Sequence, residues 1–192
     1  YGKPLKAADQ MTTFKMVVGT VADRNGLFAD FSPVPLQDKP GNGYHINIFA
    51  EDNNGNDVCR YAAAGILEKI SDMTLFLNPS DGSYTRFGNS NAPDRINWSA
   101  KNESGLLYVS ESKGATRVEL RSPDALSNPY LAYALLIHAG LYGIENKLTL
   151  PKEMDSEGTL LPKSRVQASE IAISSDFIKG IVPKEIIESY TL

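Results

Sequence analysis

"TRVELRSPDALSNPYLAYALLIHAGLYGI", residues 116–144, holds a strand, a turn and a helix in immediate succession. In its first six residues the side chains alternate. Val118 and Leu120 point one way, while Arg117, Glu119 and Arg121 line the other face. After the turn, Asn128 is placed as an N-cap and Pro129 fits the first helical position. Three ionised groups on one strand face are costly to bury unless they meet opposite charge, a metal ion or a charged ligand. Arginine presents a rigid fork for carboxylate or phosphate, and glutamate is a hard oxygen ligand for Mg2+ or Mn2+. A solvated face of an edge strand is the alternative reading.

A second stretch, "GNGYHINIF" at 41–49, reads as a strand entered through two glycines. Alternation places Tyr44, Ile46 and Ile48 on one face and His45, Asn47 and Phe49 on the other. His45 is one of only two histidines. The other, His138, falls inside the apolar helix that follows Pro129 and reads as structural.

Around these stretches the pattern is mostly helical. Residues 4–23 carry Pro4 at the first turn, an apolar stripe of Met11, Phe14, Val17, Val18 and Val21, and a stop at Asn25-Gly26. "LFADFSPVPL" (27–36) reads as a short strand running into a turn. A second helix is expected over 57–77, with Ala63, Ile66, Leu67, Ile70 and Leu77 at helical spacing. Residues 78–105 are rich in Asn, Ser, Gly and Pro and read as a long loop holding Arg86 and the only tryptophan, Trp98. "GLLYVS" and "TRVELR" form a strand pair. The C-terminal segment is helical and broken at Pro183. The expected class is α+β, an antiparallel sheet packed with helices.

The chain has 192 residues, 42% of them hydrophobic and 22% charged, with a formal net charge of −4. That composition suits a globular protein and gives no global support to a nucleic-acid partner. The longest apolar stretch, 131–144, is too short to span a membrane, so no membrane partner is expected. Cys59 is the lone cysteine, which fits a reducing, cytoplasmic setting. P-loop, GxGxxG, HExxH and GxSxG motifs are all missing.

The order of "GNGYH", "NPSDGSYTRF", "NAP", "WSAKNES", "TRVELRSPDALSNPYL" and "LPKS" resembles the catalytic domain of glutamine synthetase over nearly the whole chain. The similarity is to the later portion of that domain. Since Tyr1 is not an initiator methionine, a longer parent carrying the family's N-terminal domain and first metal carboxylates is expected. The resemblance implies a partial glutamine synthetase/guanido kinase-like catalytic domain. Residues 1–145 would form its sheet-and-helix part and 146–192 a C-terminal helical segment.

The resemblance further implies an ATP-dependent ligase that phosphorylates the γ-carboxylate of a glutamate-like amino acid and joins it to ammonia. Its cofactor would be Mg2+ or Mn2+, and the full-length protein would be a homo-oligomer. The chain alone is expected to be inactive. By position His45 and Glu119 would be metal ligands, and Arg86 and Arg121 catalytic and substrate-binding residues. Gly41 would approach the substrate, while Asn47, Lys113 and Arg117 would face the nucleotide.

The sequence departs from the family at several of these places. Glu103 replaces a phosphate-facing arginine, Tyr108 a second arginine and Phe49 a serine. Asn91 stands for the glutamate that handles ammonium. A ligase acting on another amine or acid, and a non-catalytic scaffold or binding protein, are the alternatives that these departures motivate.

Overall fold

The computed structural model describes residues 2–88, 91–101, 103, 105–112, 114–153 and 158–191. Four strands form one sheet in the order β1 (Ile46–Ile48), β4 (Ala115–Leu120), β3 (Leu107–Ser112), β2 (Trp98–Ser99). β1 pairs antiparallel with β4, and β4 with β3. The sheet is mixed rather than purely antiparallel, because the two-residue β2 runs parallel to β3. So short a strand carries no sequence period, and its direction is set by the excursion before β3.

The register explains the two faces. Ile46 lies opposite Leu120, which lies opposite Leu107, and that residue opposite Trp98. All four are buried, and this row packs into a core with α2 (Cys59–Leu77) and α4 (Pro129–Glu145). The opposite face carries Asn47, Glu119 and Tyr108 in one row.

α2 is the central helix. Its expected stripe of Ala63, Ile66, Leu67, Ile70 and Leu77 is buried in full. It lies against α4 through glycine: a Cβ at Gly65 would sit 2.1 Å from the Ala139 carbonyl oxygen, and one at Gly143 2.1 Å from that of Tyr61. Only hydrogen fits there, so the backbones approach closely. Asn128 caps α4 as expected, its side chain accepting hydrogen bonds from the N–H groups of Tyr130 and Leu131.

Several expectations need correction. α1 (Pro4–Arg24) forms, and Gly26 takes a left-handed φ of 68° at its stop. Its stripe is not covered, however: Phe14, Val17 and Val21 are each at least half exposed, and Ala8 is the buried residue of the helix. Residues 27–36 form no strand, because no neighbouring chain among the described residues pairs with them. The expected loop at 78–105 contains α3 (Asp81–Thr85) as well as β2. α3 is closed by a capping box between Ser80 and Ser83. The C-terminal segment divides into α5 (Arg165–Ser174), α6 (Asp176–Lys179) and α7 (Lys184–Thr191). The first break lies at Ser175, whose side chain accepts from Ile178 N–H and starts a new helix, and only the second lies near Pro183.

Candidate functional site

The polar face of β1 and β4 gathers the charged residues. His45 is diagonal to Glu119 across the strand pair, and its Nδ1 lies 3.2 Å from Glu119 Oε1. The same oxygen accepts a hydrogen bond of 3.2 Å from Arg121 Nη1. Arg117 Nη2 is 3.8 Å from the other carboxylate oxygen. Glu119 is 8% exposed and Arg121 2%, so the strand face that reads as charged is largely closed to water. Burying charged side chains is costly unless they meet opposite charge, and these contacts supply it. Arg117 also donates through Nε to Ser110 Oγ at 3.2 Å, and its guanidinium stands 5.7 Å from the centre of the Tyr108 ring.

Arg86 arrives from a different part of the chain, at the C-terminal end of α3. It is 2% exposed and donates to the Ser122 carbonyl, just beyond β4. Burial pushes its guanidinium pKa down, while the Asp124 carboxylate works against that shift. Gly41 makes this position possible. A Cβ there would fall 2.6 Å from Arg86 Cγ and 2.9 Å from the Pro33 carbonyl oxygen.

Gly43 was not singled out from the sequence, yet it joins the two groups. A Cβ at Gly43 would lie 3.4 Å from both Arg86 Nη1 and His45 Nε2. The glycine therefore leaves a gap flanked by a guanidinium and an imidazole, and its bridge to Asp124 extends the β1–β4 pairing backward. The G-x-G spacing was the available signal. Asp124, fully buried and hydrogen-bonded to Asn78 Nδ2 at 3.4 Å, was also missed. The signal for it was weak, since an aspartate in a turn ordinarily reads as solvated.

The structure thus brings Gly41, His45, Arg86, Glu119 and Arg121 together. Asn47 sits opposite Glu119 in register, and Phe49 is 40% exposed at the far end of β1. Glu103 is on Arg121, with its Oε2 2.9 Å from Nη1. The backbone oxygen of Asn91 is 3.4 Å from His45 Nε2. Lys113 lies outside the described residues.

An imidazole nitrogen and a carboxylate oxygen 3.2 Å apart are a donor pair suited to a divalent cation. Among the described residues no group of three or more His, Cys, Asp or Glu side chains is placed to hold a metal. A separate cavity of about 440 Å³ lies beside β1, lined by Ile48, Ala62, Ile66, Leu136 and Leu141. His45 reaches its lining, but Glu119 and the arginines do not, and its character is apolar.

A mixed sheet with helices on one face and a histidine, a glutamate and three arginines gathered on and beside the other defines a class of α+β protein with a charge-rich polar face. A family model described as "Glutamine synthetase, catalytic domain" matches residues 1–190, and the chain belongs to that family. It is 41% identical over 170 residues to a glutamine synthetase of Clostridium saccharobutylicum, covering 81% of this chain and 38% of that protein. It is 34% identical over 217 residues to one of Methanosarcina mazei, covering 99% and 48%. A solved structure described as "GmaS/ADP complex-Conformation 1" superposes with a TM-score of 0.87 at 25% identity, covering 100% of this chain and 50% of that one. The chain therefore spans half or less of the length of these relatives. Among the described residues no helix is long and apolar enough to cross a membrane.

Proposed function

We propose that the protein built on this chain is an ATP-dependent carboxylate–amine ligase. It would phosphorylate the side-chain carboxylate of a glutamate-like amino acid and transfer the acyl group to ammonia or another amine. The observation that carries this reading is the His45–Glu119 pair, 3.2 Å apart and bracketed by Arg121 and Arg117. His45 and Glu119 would hold Mg2+ or Mn2+ as two of its ligands. Bound there, the cation would offset negative charge on a phosphoryl group in transfer.

The chain's own residues would do the rest. Arg86, fixed by Ser122 and stacked on Gly41, presents a guanidinium beside the Gly43 gap, where a carboxylate of the amino acid would be oriented. Arg121 approaches the same region from the end of β4, next to the Ser122 carbonyl that holds Arg86. Asn47 on β1 and Arg117 on β4 lie on the polar sheet face where a nucleotide would lie.

An amine other than ammonia is the second form of this reading, motivated by Asn91 standing where the resemblance implies an ammonium-handling glutamate. Asn91 meets His45 through its backbone oxygen, and its side chain is an amide that cannot take a proton from ammonium as a carboxylate does. Coupled phosphate-release assays on the full-length protein, with glutamate, ATP, Mg2+ and a panel of amines, test both points. Turnover above background that disappears in Glu119→Ala supports a ligase, and the preferred amine distinguishes the two forms. Background rates with every amine would overturn the reading. The 192-residue chain assayed alone is expected to remain at background.

A further inference from the structure

We infer that Glu103 is a specificity-determining residue that competes with ligand oxyanions for Arg121. The inference deepens the ligase reading and rests on its placement of a ligand anion at Arg121. Arg121 Nη1 is shared between two carboxylates, Glu103 Oε2 at 2.9 Å and Glu119 Oε1 at 3.2 Å. The two are not equivalent. The Glu119 side chain is 10% exposed, fixed in β4 and shared with His45 and Arg117. The Glu103 side chain is 65% exposed and comes from the segment between β2 and β3. One carboxylate is part of the floor of the site, and the other lies across its solvent side.

Arg121 also has capacity that Glu103 does not use. Its Nε is buried and makes no hydrogen bond among the described residues. A ligand oxyanion approaching this guanidinium finds its charge already compensated, and must move Glu103 aside to reach it. Until it does, the Glu103 carboxylate repels it at close range, and the repulsion grows with the charge of the ligand. Glu103 therefore biases the site against strongly anionic groups such as a dianionic phosphate. The Glu103 carboxylate is itself largely exposed, and a cationic ligand group would be favoured beside it.

Inorganic phosphate titrated into the full chain, followed by 31P NMR, tests this without nucleotide, amino acid or amine. Glu103→Gln is expected to lower the phosphate Kd roughly tenfold relative to the unsubstituted chain. Glu111→Gln is the matched control. It removes the same charge from an exposed glutamate near the end of β3 that pairs with Arg60 at 2.8 Å, and should leave Kd within about twofold. Both substitutions are at exposed side chains, so folding is preserved. An equal gain in both variants would make the effect one of net charge and overturn the inference. So would no gain in Glu103→Gln, or no phosphate binding by any of the three. Because no turnover is read, a protein without ligase activity that still shows the Glu103 effect would retain this inference and lose the ligase reading.

Discussion

Arg86 and Arg121 are both 2% exposed, yet they are held by opposite means. Arg121 extends from the end of β4 and is paired with two carboxylates, Glu119 and Glu103. Arg86 extends from the end of α3 and is held by a backbone carbonyl, with glycine beneath its methylenes and Asp124 as the nearby counter-charge. A buried cation held by carboxylates is sensitive to the loss of a single partner. One held by backbone and shape is sensitive to volume. The difference predicts where each half of the site breaks.

The largest effect is expected at Glu119. Its removal leaves Arg121 buried with only the exposed Glu103, and leaves His45 without its carboxylate. Breaking a buried ion pair from one side costs about 3 kcal/mol or more, because the remaining charge is uncompensated. Urea unfolding of Glu119→Ala should show a loss of this size, and Glu119→Gln a smaller one, since its amide oxygen still accepts from Arg121. If Glu119→Ala loses less than Glu119→Gln, the charge match is not what holds Arg121.

At Arg86 the corresponding test is steric. Gly41→Ala places a methyl 2.6 Å from Arg86 Cγ and 2.9 Å from the Pro33 carbonyl oxygen, which should cost about 1–3 kcal/mol by overpacking. The partner can be identified. In an Arg86→Ala background the cost should fall, because the longer side chain is gone and the two substitutions couple. An unchanged cost would assign the clash to the Pro33 backbone instead.

Much of this contrast was legible in the sequence, but not all of it. Alternation in "TRVELR" and "GNGYHINIF" placed His45, Glu119 and Arg121 on one side, because a strand's period of two needs no tertiary information. The α2 stripe and the Asn128 cap were legible for the same reason, each being local. Arg86 could be placed at the site only by resemblance, since α3 and the Gly41 contact bring together residues 45 positions apart. The parallel β2 and the uncovered face of α1 were not legible. Neither a two-residue strand nor the partner of an amphipathic stripe is encoded in local spacing. Glu103 read as a charge facing a nucleotide, and its contact with Arg121 came only with the fold.

The far end of β4 offers a third way of satisfying a charge, intermediate in size. Asp57 accepts from Thr116 N–H at 2.7 Å and from Cys59 N–H at 2.9 Å, tying the start of α2 to the strand. Burial pushes the Asp57 carboxyl up, but the hydrogen bonds from Thr116 and Cys59 outweigh it and hold the group below its ordinary value of 3.8. A carboxyl whose folded pKa is depressed stabilises above its unfolded pKa, and that contribution is lost as pH falls through the folded value. Asp57→Ala should therefore be less stable at neutral pH by about 1 kcal/mol, the ordinary cost of truncating a side chain that accepts from backbone N–H groups at a helix start. The gap between the two proteins should narrow as pH falls below about 4. Thermal melts at pH 7 and pH 3 measure it, and a gap that widens in acid would contradict the assignment.

The smallest stability effect is expected at Glu103, and its smallness sharpens the contrast within Arg121's own pair of carboxylates. The Glu103 Oε2 contact with Arg121, at 2.9 Å, is shorter than the Glu119 contact at 3.2 Å, so distance alone would rank Glu103 as the stronger partner. Burial reverses that ranking. The Glu103 side chain is 65% exposed, where water screens the attraction and ordering a long side chain opposes it, whereas Glu119 is screened far less. Arg121 keeps Glu119 when Glu103 is neutralised, so no buried charge is left uncompensated. Glu103→Gln should shift the unfolding free energy by no more than about 0.5 kcal/mol, several times less than Glu119→Ala. Raising the salt concentration should shrink the Glu103 effect further and leave most of the Glu119 effect in place. If the two substitutions cost the same, Glu103 is as much a part of the buried floor as Glu119, and it could not move aside for a ligand.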